Sequence, residues 1–174
     1  MVAMPESITG TTVISYVVLI LGIDPGLERI GFGVVRRVGS KLECLDYGLI
    51  KTPKIALPER LKLVHDGVVA LIEKHRPDAM ATERLLFTKN VTTGMDVAKS
   101  LGTILLAAAD TGIAWTEYSP PEVKLAVVGN GNADKNQVTF MVRRLLALKE
   151  DPKPDDVADA LAIAICHAFK APRN

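Results

Sequence analysis

The strongest constraint in the sequence is the run Val17 to Gly26, VVLILGIDPG, an apolar stretch that ends abruptly on Asp24 and is followed at once by Pro25 and Gly26. The run is too short and too rich in Val and Ile for an amphipathic helix, and Pro25-Gly26 stops it. It reads as a buried strand that delivers one acid to a site. A carboxylate at the end of a core strand costs free energy unless something pairs with it. A metal ion, a lysine or the backbone donors of the following turn could each be that partner.

A chain of 174 residues fits one domain with an ordinary core. A formal net charge of +1 gives no overall attraction to nucleic acid, so binding DNA requires basic side chains gathered on one face. Cys44 and Cys166 are far apart and lack metal-ligand spacing, which suits buried thiols in a reduced cytoplasm. Residues 1 to 16 contain no Lys or Arg, so the apolar run lacks the basic flank of a secretory signal, and it is too short to span a bilayer. The expectation is a cytoplasmic protein with no membrane partner, with residues 1–15 a flexible polar extension and 171–174 a short tail.

After Gly26, the segments Ile30 to Val38 and Lys41 to Lys51 alternate and are joined by short turns, which with the first run predicts an antiparallel meander of three strands. Apolar residues recur at helical spacing from Leu57 to His75, where Pro77 ends the pattern. Ala79 to Thr82 is a short strand ending on Glu83, a second acid at a strand end. Asn90 to Asp110 predicts a small-residue helix and Ile113 to Tyr118 a fifth strand. A helix from Pro120 to Val128 opens on Ser119-Pro120-Pro121-Glu122. A flexible Gly129 to Asp134 loop then leads to a helix from Lys135 to Leu148, and the closing helix runs from Asp155 to Phe169. Three meander strands followed by alternating helices and strands give an α/β domain with a five-stranded mixed sheet, the topology of the ribonuclease H-like fold. Residues 16–170 form that single domain.

Asp156 and Asp159 stand three apart at the start of the closing helix and share a face. If Asp24, Glu83 and this pair converge, their repulsion must be relieved, and hard oxygen ligands of this kind suit Mg²⁺ or Mn²⁺. Two such ions can activate a water and stabilise the leaving oxygen of a phosphodiester displacement. Simpler roles stay open at this point. Asp24 could accept hydrogen bonds from its own turn, Glu83 could pair with Arg84 or a lysine, and Asp155 or Asp156 could cap the helix with Asp159 as the third residue of a box.

The blocks LGIDPG, GFGVV, ATERLLFTKN, EVKLAVVGNGNADKNQV and DDVADALAIAICH, in this order from about Val18 to Ala168, resemble RuvC-type Holliday junction resolvases. An Asp-Gly turn after a first strand also occurs in actin-like ATPases and sugar kinases; DALAIAICH joined to VKLAVVGNG is far more specific. The resemblance implies a ribonuclease H-like nuclease domain in a homodimer. It would cut four-way junction DNA symmetrically during recombinational repair, with two Mg²⁺ or Mn²⁺ ions per site and a RuvA-RuvB-type branch-migration partner. By matching position, Asp24, Glu83, Asp156 and Asp159 are the expected catalytic and metal-binding acids, with the DVAD spacing favouring Asp156 over Asp155. Lys124 and Lys135 match basic residues that meet the scissile strand, and Arg84, Lys89 and Lys99 would add a basic rim. Family members commonly place an aromatic three residues after the catalytic Glu. Here that position is Leu86, so either Phe87 stacks on junction bases or Leu86 wedges them, and the expectation falls on Phe87. His167 is expected to serve the helix C-terminus. A related nuclease acting on structured RNA, or a non-catalytic junction-binding protein, is the alternative.

Overall fold

The computed structural model describes residues 17–85 and 91–171, with side chains from residue 94 onward in the second stretch. The 1–15 extension, Leu86, Phe87, Lys89 and the last three residues of the tail lie outside the described residues. The expected meander is present: β1 (Val17–Asp24), β2 (Arg29–Val38) and β3 (Lys41–Lys51) pair antiparallel. Two parallel strands, β4 (Ala79–Glu83) and β5 (Ala114–Tyr118), extend the sheet on the other side of β1, giving five strands in the order β3-β2-β1-β4-β5.

Helices cover both faces, which explains why β1 is apolar at almost every position. Side chains alternate along a strand. Leu21 and Ile23 of β1 therefore join Val34 and Met80 in a core with α1 (Leu57–His75) and α2 (Val91–Thr111). Val18 and Ile20 instead join Ala81 on the opposite face, against α3 (Pro120–Val128), α4 (Lys135–Leu145) and α5 (Asp155–Lys170). The α5 segment from Val157 to Cys166 is buried apart from the half-buried Asp159, as befits a helix enclosed between sheet and neighbouring helices.

Helix ends follow local chemistry. Both the backbone N–H and the hydroxyl of Ser119 donate to Glu122, at 2.9 and 2.8 Å, at the start of α3. Asp134 and Gln137 cap α4 reciprocally, each bond being 2.9 Å. The α4 helix stops at Leu145, short of the expected Leu148, because Ala147 turns left-handed at φ 51 and the Leu148 N–H bonds back to the Arg143 carbonyl at 3.0 Å. The loop expected to be flexible before α4 is tied down. Asn132 N–H donates to Asn130 Oδ1 at 3.0 Å, Ala133 N–H donates to the Asn130 carbonyl at 3.1 Å, and Ala133 is buried.

Candidate active site

Strand parity aims the first two acids. Asp24 lies two residues beyond Gly22 and Glu83 two beyond Ala81, on the face of the sheet that α5 covers. The parallel register runs from Ile20 opposite Ala79 to Ile23 opposite Thr82, so both acids fall at the same end of adjacent strands. The helix comes unusually close at this point. A Cβ on Gly22 would stand 2.2 Å from the Ala160 carbonyl oxygen, one on Gly31 1.9 Å from the Asp156 carbonyl oxygen, and one on Gly33 2.6 Å from Leu161. These glycines let the α5 backbone lie on β1 and β2, which brings Asp156 and Asp159 to Asp24.

Capping does not account for the aspartate pair. The N-cap of α5 is Pro154, without a side-chain cap bond, and Asp155 and Asp156 already lie in the first turn. Nor does the turn backbone satisfy Asp24, whose carboxylate makes no hydrogen bond among the described residues. Burial first, then the charges of Asp159, Glu83 and Asp156, push the Asp24 pKa up to about 8, against a lowering influence from Lys135. Glu83 is raised by burial and Asp159, with Lys124 and Lys135 opposing. Asp159 is raised by burial, partly offset by Lys135.

Two cations of the chain stand on the α5 acids. Lys135 Nζ is 3.1 Å from Asp155 and 3.2 Å from Asp159, and although burial works against its charge, these contacts hold its pKa above the usual lysine range. Arg29 Nε is 3.3 Å from Asp156 Oδ2. That oxygen is buried and makes no hydrogen bond among the described residues, so the guanidinium neutralises it without satisfying its lone pairs. Among the described residues no three His, Cys, Asp or Glu side chains are gathered tightly enough to enclose an ion as they stand. The donor set is nevertheless all hard oxygen, mutually repelling, with one orphaned buried carboxylate atom, and this fits a divalent cation.

A cleft of about 210 Å³ opens beside the acids, with Glu83, Asp159, Lys124 and Lys135 around it and Val123 and Ala162 in its apolar floor. The structure thus brings both expected lysines to the acids. Arg84 and Lys99 behave differently. Arg84 pairs with Glu117 at 3.2 Å and Lys99 with Asp96 at 3.0 Å, and neither is among the described residues lining this cleft. Phe87 and Lys89 fall outside the described residues. His167 lies back from the acids, its Nδ1 2.9 Å from the Tyr118 hydroxyl, and its pKa is lowered by burial. Sequence reading missed Arg29, whose only visible signal is its place directly after the Asp24 turn.

A pH dependence follows from Asp24. Its folded pKa lies above that of an exposed carboxylate, so the folded state holds a proton that the unfolded chain has already lost. Its contribution to stability is complete below the ordinary carboxylate pKa and is lost as pH rises through about 8. In EDTA, the melting temperature should therefore fall between pH 6 and pH 9. Mg²⁺ or Mn²⁺ should restore more of it at the higher pH, where less proton must be displaced; differential scanning calorimetry checks both.

The profile of the family described as "Crossover junction endodeoxyribonuclease RuvC" matches residues 20–167. The chain belongs to the RuvC family. Holliday junction resolution is the function that this membership carries. The Halothermothrix orenii RuvC is 50% identical over 150 residues, spanning 86% of this chain and 91% of its own. The Brevibacillus brevis RuvC is 51% identical over 154 residues, spanning 87% and 93%. Among solved structures, T. thermophilus RuvC in complex with Holliday junction substrate superposes with a TM-score of 0.85 at 40% identity, covering 88% of this chain and 94% of that one. The RuvC fold is thus the ribonuclease H-like arrangement that the order of elements predicts. Among the described residues no helix is long and apolar enough to cross a membrane.

Proposed function

We propose that this chain resolves four-way junction DNA by metal-assisted phosphodiester hydrolysis, with Asp24, Glu83, Asp156 and Asp159 holding two Mg²⁺ or Mn²⁺ ions. The observation that carries this reading is the meeting of Glu83 and Asp159 at a cleft rimmed by Lys124 and Lys135, with the charges of Asp159, Glu83 and Asp156 all bearing on Asp24. When bound, the ions supply Lewis acidity that activates a water and stabilises the leaving oxygen. The residues of the chain do the rest. Asp24 and Glu83 present carboxylates from the rigid ends of paired strands, so their positions vary little. Lys124 and Lys135 neutralise the phosphates of the strand laid across the acids. Lys89 would extend the basic rim and Phe87 offer a ring to junction bases, while Arg84 and Lys99, paired to Glu117 and Asp96, would meet DNA only outside the cleft that Lys124 and Lys135 rim.

The test is cleavage of a synthetic four-way junction with Mg²⁺ and Mn²⁺ in turn, beside duplex and structured RNA; paired symmetric nicks confined to the junction are expected. Replacing Lys124 by Gln should lower junction affinity by roughly tenfold at low salt and flatten its salt dependence, as loss of one phosphate contact does. Fluorescence anisotropy across a salt series reads both.

Symmetric cutting requires two sites, and helix α2 supports a homodimer. Ile104, Ala107 and Ala108 are buried against the sheet, while Met95 and Leu106 are 53% and 55% exposed on the same outer face as Gly102. Leu106→Arg should yield a monomer by analytical ultracentrifugation that no longer makes paired nicks. A branch-migration complex of the RuvA-RuvB type is the partner consistent with this role, and the free thiols of Cys44 and Cys166 suit the cytoplasm.

A further inference from the structure

The acids separate two clefts. One holds Lys124 and Lys135. The other, about 540 Å³, lies between the turn after β1 and helices α1 and α2, and is lined by Arg29, Arg60, Glu28 and Asp96 together with Asp156. Asp156 faces this cleft, while Glu83 and Asp159 face the first.

The two arginines are held differently. Arg60 Nε donates to Thr52 Oγ1 at 3.0 Å, and Thr52 Oγ1 donates to the Leu27 carbonyl at 2.6 Å, so Arg60 braces the turn that follows Asp24. The Arg29 side chain is 55% exposed, and it approaches Asp156 Oδ2 at 3.3 Å without forming a hydrogen bond. A divalent ion taken up by Asp156 competes for that same oxygen. Exposure leaves the guanidinium free to turn, and its planar fork suits a phosphate better than this single contact.

We propose that Arg29 stands in for the divalent ion on Asp156 and, once the ion binds, turns into the α1–α2 cleft. There it holds a phosphate of the cut strand on the side of the acids away from Lys124 and Lys135. The inference rests on the metal and DNA roles proposed above. Charge supports it. With Asp96 paired to Lys99 at 3.0 Å and Asp156 turned to the ion, the cleft sets two guanidiniums against the Glu28 carboxylate.

The experiment titrates wild-type protein, Arg29→Gln and Lys124→Gln against junctions carrying one neutral methylphosphonate at successive positions on either side of the cut. Ca²⁺, whose longer and looser coordination serves binding, replaces Mg²⁺, and EDTA provides the ion-free arm. A Ca²⁺-dependent rise in melting temperature shows that the ion is bound. In Ca²⁺, Arg29→Gln should weaken binding of the intact junction about five- to tenfold and reduce the log–log salt slope by about 0.9, and Arg29→Lys should recover most of that slope. One methylphosphonate on the far side should cost the wild type affinity and cost Arg29→Gln nothing further. In EDTA the effect of Arg29→Gln should shrink to within about twofold. The proposal is overturned if the Arg29→Gln loss adds to every methylphosphonate, or is equal in Ca²⁺ and EDTA with the ion demonstrably bound, while Lys124→Gln couples to a phosphate of its own. If Lys124→Gln couples to none either, the strand does not cross the acids, and the underlying DNA path falls with it.

Discussion

Replacing Asp24 by Asn should lower junction cleavage by roughly 10³-fold or more while leaving junction affinity close to wild type. Asn keeps the shape of the side chain and the end of β1, so the loss is one of charge. Asp24 is the most central of the acids, since Asp159, Glu83 and Asp156 all raise its pKa, and the ion that relieves that repulsion needs its carboxylate most. The same substitution carries an opposite signature in stability. Removing a buried, repelled carboxylate should raise the melting temperature in EDTA most at pH 9, where wild-type Asp24 is ionised, and less at pH 6, where the folded protein keeps a proton that the unfolded chain has already lost. Single-turnover cleavage and calorimetry at the two pH values check both results. A protein that still cuts at the wild-type rate would remove Asp24 from the chemistry.

The second large effect is expected at Gly31, where Ala would place a methyl group 1.9 Å from the carbonyl oxygen of Asp156. The obstacle is backbone rather than a side chain that can rotate, so α5 must lift from β2. Overpacking of this kind costs about 3 kcal/mol or more. Lifting α5 also carries Asp156 and Asp159 away from Asp24, so cleavage should fall even in the fraction that stays folded. Urea unfolding with an unchanged m-value, beside a weakened response of melting temperature to Mn²⁺, would show that packing and site fail together. Gly22→Ala, whose Cβ would stand 2.2 Å from the Ala160 carbonyl, should behave alike.

Much of the molecule was legible one segment at a time. The strand ending on Asp24, the α1 boundaries at Leu57 and His75, the short strand ending on Glu83 and the start of α5 at Asp155 all follow from periodicity, proline and turn residues acting over a few positions. Where the reading slipped, at the end of α4 and in the loop before it, the deciding contacts are a left-handed Ala147 and the hydrogen bonds that hold Asn130 to Ala133. Glycines in β1 and β2 were visible in the sequence, but their use was not, because a close backbone approach exists only once α5 lies on the sheet.

By itself the sequence determined the chain's ribonuclease H-like order of elements, its membership of the RuvC family and the presence of four carboxylates on three separate elements. Tertiary structure alone decided that strand parity turns Asp24 and Glu83 toward α5, that Lys135 meets Asp159, and that Arg29 rather than a cap meets Asp156. The physical reason is range. Secondary structure is set by neighbours within a turn or two, whereas the charge on a buried acid is governed by whichever cation the packing of distant elements brings within a few ångströms.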